Sequence, residues 1–579
     1  MTWTSLTAIG QTETTEIHRI VLTGNQILTD NEIRDVMQTR VGQTFDPIQL
    51  KQDFDQIINR FHAQGYHFAR IDEDRLLIKQ LDRGLYLHIH IDEGTIGKIT
   101  VEGNDRTRTE VIIRELLFGV GSVYIYDEEL ESERILRRQS YLSQAEITAK
   151  RQPKTTKVLI HVQVNEAWTL IPTLDLPVFS KVQSNLLVRL SESNVFGSGN
   201  GYQFRFQQIR EAQQKTRNLL SVGYQIPRTF GTHLNTVGRY TQKAEGDSWV
   251  IGFSYPLYSL KSKWGADFSI SESVDQLYFY QGGYPTASFL RNRYLYSGQI
   301  IRSFGRKTDK SQIGLWTNSY TSRYRESESI SGNKELYLPD DRRLESIGIS
   351  LAKQRASFIR TRHLNQMGRI EDIPLGYTYG TKIGRALMWL GSDSGQTQLS
   401  FFVQHFYRTS YQLYLNTEST LLTQIQQGAI ETAILSASCR VIKKHLYSQT
   451  LAVQLSTILG RSSSMKNQVL LGGSNGLRGY PLRRFDGNNN LLINIESRGL
   501  YWENDWLILG SIVFVDIGYI WANGQFSFNQ PKRSLGFGLR LSSPKLNYRV
   551  YRLEFSYPLD LPERDSKFPV INYSVGHLF

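Results

Sequence analysis

The chain has 579 residues, 40% of them apolar, a formal net charge of +13 and one cysteine. Its length exceeds one ordinary hydrophobic core and implies at least two domains. No run approaches the ~20 consecutive apolar residues of a spanning helix, which excludes a helical membrane protein but not a barrel, whose strands conceal their apolarity by alternation. Tyr 31, Phe 27 and Trp 9 against Met 5 is the balance that aromatic rings at two water–lipid boundaries would produce. The basic residues are scattered among alternating segments rather than gathered into one stripe, so nucleic acid is not an expected partner. Lone Cys439 excludes a disulfide framework and a thiolate metal cluster, and suits an oxidising compartment.

Residues 1–15 read as a leader remnant or a disordered start, since Met1–Gly10 lacks the basic beginning and the apolar run of a complete signal. Residues 16–167 then form an imperfect duplication. Strand-like IHRIVLTGN ends at Gly24-Asn25 and GKITVEGN at Gly103-Asn104, 79 positions on, and Gly42 and Gly121 keep that spacing. In the first copy (16–95), Thr29 and Glu32 predict a capping box ahead of Ile33, Val36 and Met37. Asp46-Pro47 predicts a second helix start, followed by Phe54, Ile57, Ile58 and Phe61 at helical spacing and a stop at Gly65. YHFARI and LYLHIHI alternate as strands, for an order of strand, helix, helix, strand, strand. The second copy (96–167) repeats this with helices over Val111–Leu117 and Asp127–Ser140 and strands YLSQAEI and KVLIHVQV. Val158, Ile160, Val162 and Val164 share one face of the last. The element order and the glycine–asparagine turns resemble the POTRA (polypeptide-transport-associated) domain. The resemblance implies α+β repeats that capture extended chains by strand addition.

From Trp168 to Phe579, 412 residues, helical periodicity gives way to short alternating segments between Gly, Asn, Asp and Ser turns. In RSLGFGLRLS, Leu535, Phe537, Leu539 and Leu541 share one face, and Ser534, Gly536, Gly538 and Arg540 the other. In YRLEFSYPL, Tyr551, Leu553, Phe555 and Tyr557 form the apolar face. One apolar face and one small or polar face predict an all-β transmembrane barrel, and strands of ~10 residues plus loops would make it 16 antiparallel strands. The chain ends on INYSVGHLF, with Ile571, Tyr573, Val575 and Phe579 on one face. Tyr573, Gly576 and Phe579 resemble the C-terminal insertion signal of bacterial outer-membrane proteins.

Three segments near the C-terminus carry buried charge. Alternation in LLINIESRGL sends Leu491, Ile493 and Ile495 to lipid and Asn494, Glu496 and Arg498 inward. In IVFVDIGYIW it sends Val513, Val515, Ile517 and Tyr519 outward and Asp516 inward, because a charge at mid-depth in lipid costs up to roughly 2–4 kcal/mol. Two inward carboxylates on neighbouring strands require a cation. The glycine-rich GGSNGLRGY offers Arg478, whose planar fork suits a carboxylate. A loop around 472–490 would thereby be pinned inside the barrel. Glu496 could instead pair with Arg498, but residues two apart on a strand project side by side, and that pairing would be wet and worth about 0–1 kcal/mol.

These segments resemble the BamA/TamA outer-membrane assembly superfamily, also called the bacterial surface antigen family. Leu477-Arg478-Gly479-Tyr480 is similar to its lid-loop motif, and Phe514-Val515-Asp516-Ile517-Gly518 to its F-x-D-x-G strand motif. Glu496 matches the preceding strand's glutamate, and Asn194–Asn200 (NVFGSGN) resembles a turn near the first barrel strands. The resemblance implies that the arginine holds the lid against the two acids, and that the seam between first and last strands opens to template a client.

Other chemistry is weakly signalled. Gly472–Gly476 formally satisfies G-x-S-x-G but precedes no helix, and His88 and His90 lack a third ligand. No catalytic residue, metal or cofactor is expected. The expected role is a bacterial outer-membrane protein with periplasmic POTRA domains that bind unfolded polypeptides and insert or assemble them in the membrane, with the lipid bilayer and accessory assembly proteins as further partners. The alternatives are a two-partner secretion translocator exporting a large secreted protein, favoured by the two-domain count but lacking a visible plug helix and proline-rich linker before residue 16, and a passive porin.

Overall fold

The computed structural model describes residues 16–152, 155, 157–175, 183–211, 216–329, 339–409, 411–444, 448–462, 468–522, 526–560 and 569–576. The expected start segment 1–15 and Phe579 lie outside the described residues. The chain divides into two compact units, Met1–Glu166 and Ala167–Phe579.

In the first unit the duplication persists down to single hydrogen bonds. The Asn25 side chain donates to the Leu28 carbonyl (3.0 Å) and Asp30 (2.9 Å). Asn104, its counterpart, donates to the Thr107 carbonyl (2.9 Å) and the Thr109 hydroxyl (3.1 Å). Gly42 N–H donates to the Ile17 carbonyl and Gly121 N–H to that of Ile96, both at 2.8 Å. Buried Asp53 accepts the N–H groups of Gln38 and Thr39, each at 2.8 Å, and at the equivalent place Ser132 Oγ accepts that of Leu117 at 3.0 Å. Asp53→Ala strands two N–H groups in a dry site and is expected to destabilise this domain by about 2–3 kcal/mol. Urea titration of the full chain, followed by fluorescence, checks this; an unchanged first transition contradicts it.

Both expected helix starts of the first copy form. Thr29 and Glu32 make a reciprocal capping box before helix Asp30–Val36, and Asp46 caps helix Pro47–Ala63. That helix buries Phe54, Ile57 and Phe61 against Leu85, Leu87, Ile89 and Ile91 of strand Gly84–Asp92. The expected strand order is incomplete. Of YHFARI only Arg70–Ile71 is a strand, because Tyr66–Ala69 closes a turn after Gly65. An unanticipated strand, Leu77–Leu81, pairs with Gly84–Asp92 across the two-residue turn Asp82-Arg83. In the second copy the helices are shorter than expected, Thr109–Ile113 and Tyr126–Arg137. Val158, Ile160, Val162 and Val164 all face its core.

The second unit is a cyclic order of antiparallel strands, Leu170–Asp175 first and Val570–Val575 last, with the last strand neighbouring the first. Registered ladders join every other consecutive pair; none is defined across that final junction among the described residues. Twenty strands are present among the described residues, not the expected 16. The estimate allowed too much chain for loops. Several connections are only two residues long, as at Gly282-Gly283, Lys307-Thr308 and Gln427-Gly428, so the same length holds more strands, some as long as Tyr284–Arg306.

Alternation is obeyed where it was read. Leu535, Phe537, Leu539 and Leu541 are exposed on the outer face, while Ser534, Gly536, Gly538 and Arg540 are buried on the inner one. Because strand direction alternates, the end at which the chain enters also carries the turns 193–200, 363–369, 504–507 and 543–550, and the opposite end carries segment 468–488. Among the described residues no helix is long and apolar enough to cross a membrane.

Candidate functional site

Segment 468–488 leaves the far end of the barrel and folds back into it. Its two ends pair as short strands, Val469–Leu471 with Phe485–Gly487. Between them the chain descends to Leu477–Tyr480, of which Leu477, Arg478 and Tyr480 are almost wholly buried.

The strands that receive Arg478 are neighbours, Asn489–Glu503 and Ile508–Trp521, in a register that sets Asn494 opposite Asp516 and Glu496 opposite Phe514. Arg478 grips Asp516 with its fork, Nε to Oδ2 at 2.9 Å and Nη2 to Oδ1 at 2.7 Å, and its own backbone N–H donates to Oδ2 at 3.1 Å. The remaining nitrogen, Nη1, donates to Glu496 Oε1 at 2.8 Å. One cation therefore joins both carboxylates, as inward alternation predicted. The guanidinium lies over the Phe514 ring, 3.5 Å from its centroid, so Phe514 is the surface on which the fork rests. Tyr480 donates its hydroxyl to the Arg533 carbonyl at 2.8 Å, and Leu477 packs with Tyr480 and Leu492 directly over Gly518. Gly479 has φ +88°, and a Cβ there would stand 3.0 Å from that of Ser534. Gly479→Ala should therefore cost about 1–3 kcal/mol, read as a lower thermal unfolding midpoint in detergent; an equal midpoint would contradict the close approach.

The charge cluster is larger than the sequence suggested. Asn494 Nδ2 bridges the Gly476 carbonyl and Asp516 Oδ1, both at 2.7 Å. Glu496 Oε2 also accepts from Arg498 Nε at 2.9 Å and Arg540 Nη2 at 3.1 Å. Glu554 lies 3.6 Å from Arg478 and 3.3 Å from Arg552. The expectation that Glu496–Arg498 would be a wet, weak pair is thus wrong. Arg498 bonds Glu496 in a buried setting, because both side chains turn inward into the charged cluster. Four arginines share three carboxylates, and no single strand contains this set. Alternation had placed Arg540 inward, but which carboxylate it would meet depends on strand register.

A second anchorage holds the lid's upper part. Gly282 N–H donates to Asp486 Oδ1 at 2.8 Å, Arg484 Nη1 donates to the Gly282 carbonyl at 2.6 Å, and Tyr280 N–H donates to Gln468 Oε1 at 3.0 Å. Arg483 stacks on Tyr280 and bonds its hydroxyl. These contacts bind the lid to a hairpin on a distant part of the wall, and nothing in the sequence signalled them.

The other candidates are placed as follows. Tyr573 lies opposite Leu553 in the last ladder, and Gly576 N–H donates to the Val550 carbonyl at 2.7 Å; Phe579 lies outside the described residues. Asn194 Oδ1 accepts Gly199 N–H at 2.7 Å, closing the NVFGSGN turn. Gly473–Asn475 is a single 3-10 turn inside the lid. His88 and His90 each bond the Thr23 hydroxyl, at 2.9 and 3.0 Å.

Comparison with known proteins agrees with the duplicated front of the chain. Residues 15–94 and 95–167 match the POTRA family, described as a surface antigen variable number repeat. The chain is 23% identical over 270 residues to a protein named as an outer membrane protein assembly factor in Treponema pallidum (strain Nichols). That match covers 44% of this chain and 31% of the other protein's length. Similar solved structures include CdiB from Acinetobacter baumannii (12% identity, 97% of this chain and 89% of that one, TM-score 0.48). CdiB from Escherichia coli gives 14% identity, the same coverage and TM-score 0.48. BamA from Haemophilus ducreyi lacking POTRA domains 1–3 gives 16% identity, 97% and 100% coverage and TM-score 0.33. The chain is an outer-membrane protein whose two POTRA domains lie in the periplasm.

Proposed function

We propose that this outer-membrane POTRA protein receives unfolded polypeptides at its periplasmic domains and inserts or assembles them in the outer membrane. The observation that carries the reading is the buried Arg478, which pins a lid inside the barrel directly downstream of two POTRA domains; a passive channel has no use for such a lid. Strand Leu142–Arg151 is an outer strand of the second POTRA sheet, and an outer strand can accept a client segment through backbone bonds regardless of its sequence. The role needs no catalytic residue and no cofactor: its work is binding and templating, with the bilayer and accessory assembly proteins as partners.

Export of one large secreted protein is the second reading, supported by the presence of two POTRA domains. Depletion followed by outer-membrane and culture-fluid proteomics separates the two. Assembly predicts broad loss of barrel proteins, export predicts loss of a single secreted product, and neither change would refute polypeptide handling.

A further inference from the structure

The turn 363–369 joins strands Arg342–Arg362 and Ile370–Ala386 at the end where the chain enters the barrel. A connection of this length usually lies in water at the rim. This one is folded inward, with Leu364, Met367 and Gly368 buried and the other four residues half-buried. Leu364 is 1% exposed and packs with Ile373, Tyr414, Ile442 and Ala452. Met367 packs with Ile508, Tyr548 and Val550. Ile373 is on the strand that follows the turn, and Tyr414, Ile442 and Ala452 are on strands two, three and four places further on; the Met367 partners lie six or more strands away, so the turn reaches across the interior instead of following the rim. Gly368, at φ +82°, passes so close to Ile508 that a Cβ would stand 2.3 Å from its Cδ1.

Polar groups hold the turn in this shape. The Glu371 carboxylate accepts the N–H groups of Leu364 (2.9 Å), Asn365 (3.0 Å) and Gln366 (3.2 Å). His363 Nδ1 accepts Gly368 N–H at 3.0 Å, while its Nε2 lies 3.3 Å from Glu503. Lys444, from a strand that is not a neighbour, donates to the Arg362 carbonyl at 2.6 Å and to Thr361 Oγ1 at 3.2 Å. A cavity of about 270 Å³, lined in part by His363, Met367, Arg498 and Arg540, separates the turn from the charged cluster above it. The turn therefore has a place to move into.

We propose that residues 363–369 form a second closure of the barrel, a periplasmic floor that acts independently of the Arg478 lid. Lid and floor act in series, and passage requires both to be displaced. The floor is held by side-chain contacts, the Glu371 carboxylate, Lys444, His363 and the apolar anchors Leu364 and Met367, and by no strand ladder, so a polypeptide pressing from the periplasm can lift it without unpairing any strand.

Planar-bilayer recording of the full chain tests the series arrangement. Arg478→Ala alone, and a variant with 363–369 replaced by a two-residue Asn-Gly turn, are each expected to raise mean conductance slightly. The combined variant should raise it several-fold beyond the sum of the two. A combined variant no more conductive than Arg478→Ala alone would overturn the floor. Should the shortened turn fail to fold, judged by heat-modifiable gel migration, labelling replaces it. In a Cys439→Ser background, Met367→Cys should react with a bulky maleimide far more slowly than Tyr411→Cys on another periplasmic turn. Adding Glu371→Ala should remove the difference. Equal rates before that addition would refute the closed floor.

Discussion

Arg478→Ala is expected to destabilise the folded barrel by about 3–5 kcal/mol and to release the lid, because it leaves Asp516 buried without its main counter-charge. Glu496 keeps Arg498 and Arg540, so the defect centres on Asp516, which among the described residues retains the donors Asn494 and Ser534 and the backbone N–H of residue 478. Arg478→Lys should recover little, since a compact ammonium can neither grip Asp516 through a planar two-donor fork while reaching Glu496 nor lie flat on Phe514. Arg478→Ala with Asp516→Asn removes the stranded charge and should restore much of the unfolding midpoint without restoring the lid. External trypsin reports the lid: cleavage at Arg483 or Arg484 should be slow in the native protein and fast in both alanine variants. Protection equal to the native protein's would mean that the Gly282 and Tyr280 contacts alone suffice, and that Arg478 is not the lock.

Deletion of residues 16–167 is expected to abolish client handling while leaving a folded, membrane-inserted barrel. The POTRA unit has its own two hydrophobic cores, one around Ile33, Ile57 and Leu87 and one around Ile112, Leu136 and Val162, and the barrel draws on neither. The deletion should preserve heat-modifiable migration and the trypsin protection of the lid, yet fail to complement depletion of the native protein. Full complementation would remove the POTRA domains from the mechanism. Loss of barrel folding would show instead that they act on the protein's own assembly.

Periodicity and punctuation made the elements legible. The capping box at Thr29–Glu32 and the Asp46-Pro47 start could be read because they depend only on residues within one turn of chain. Glu496, Asp516 and Arg540 could be placed inward because a period of two leaves a charge only one tolerable face in lipid. Leu77–Leu81 was missed because its partner is set by an Asp-Arg turn that carries no strong hairpin signal. The strand number was missed because loop lengths follow from which residues pair, and pairing is not written in any one strand.

The amino-acid sequence by itself determined the order of parts: a duplicated α+β front, an alternating wall and an arginine facing two inward acids. Local propensity and the sign of lipid transfer suffice for those. Only the tertiary structure decided that there are twenty strands, that Glu496 is shared among three arginines, that the lid is tied a second time at Gly282, and that residues 363–369 cross the interior. Each of these joins residues far apart in the chain, and such contacts are set by register and by how tightly the wall curls, which short-range pattern does not encode.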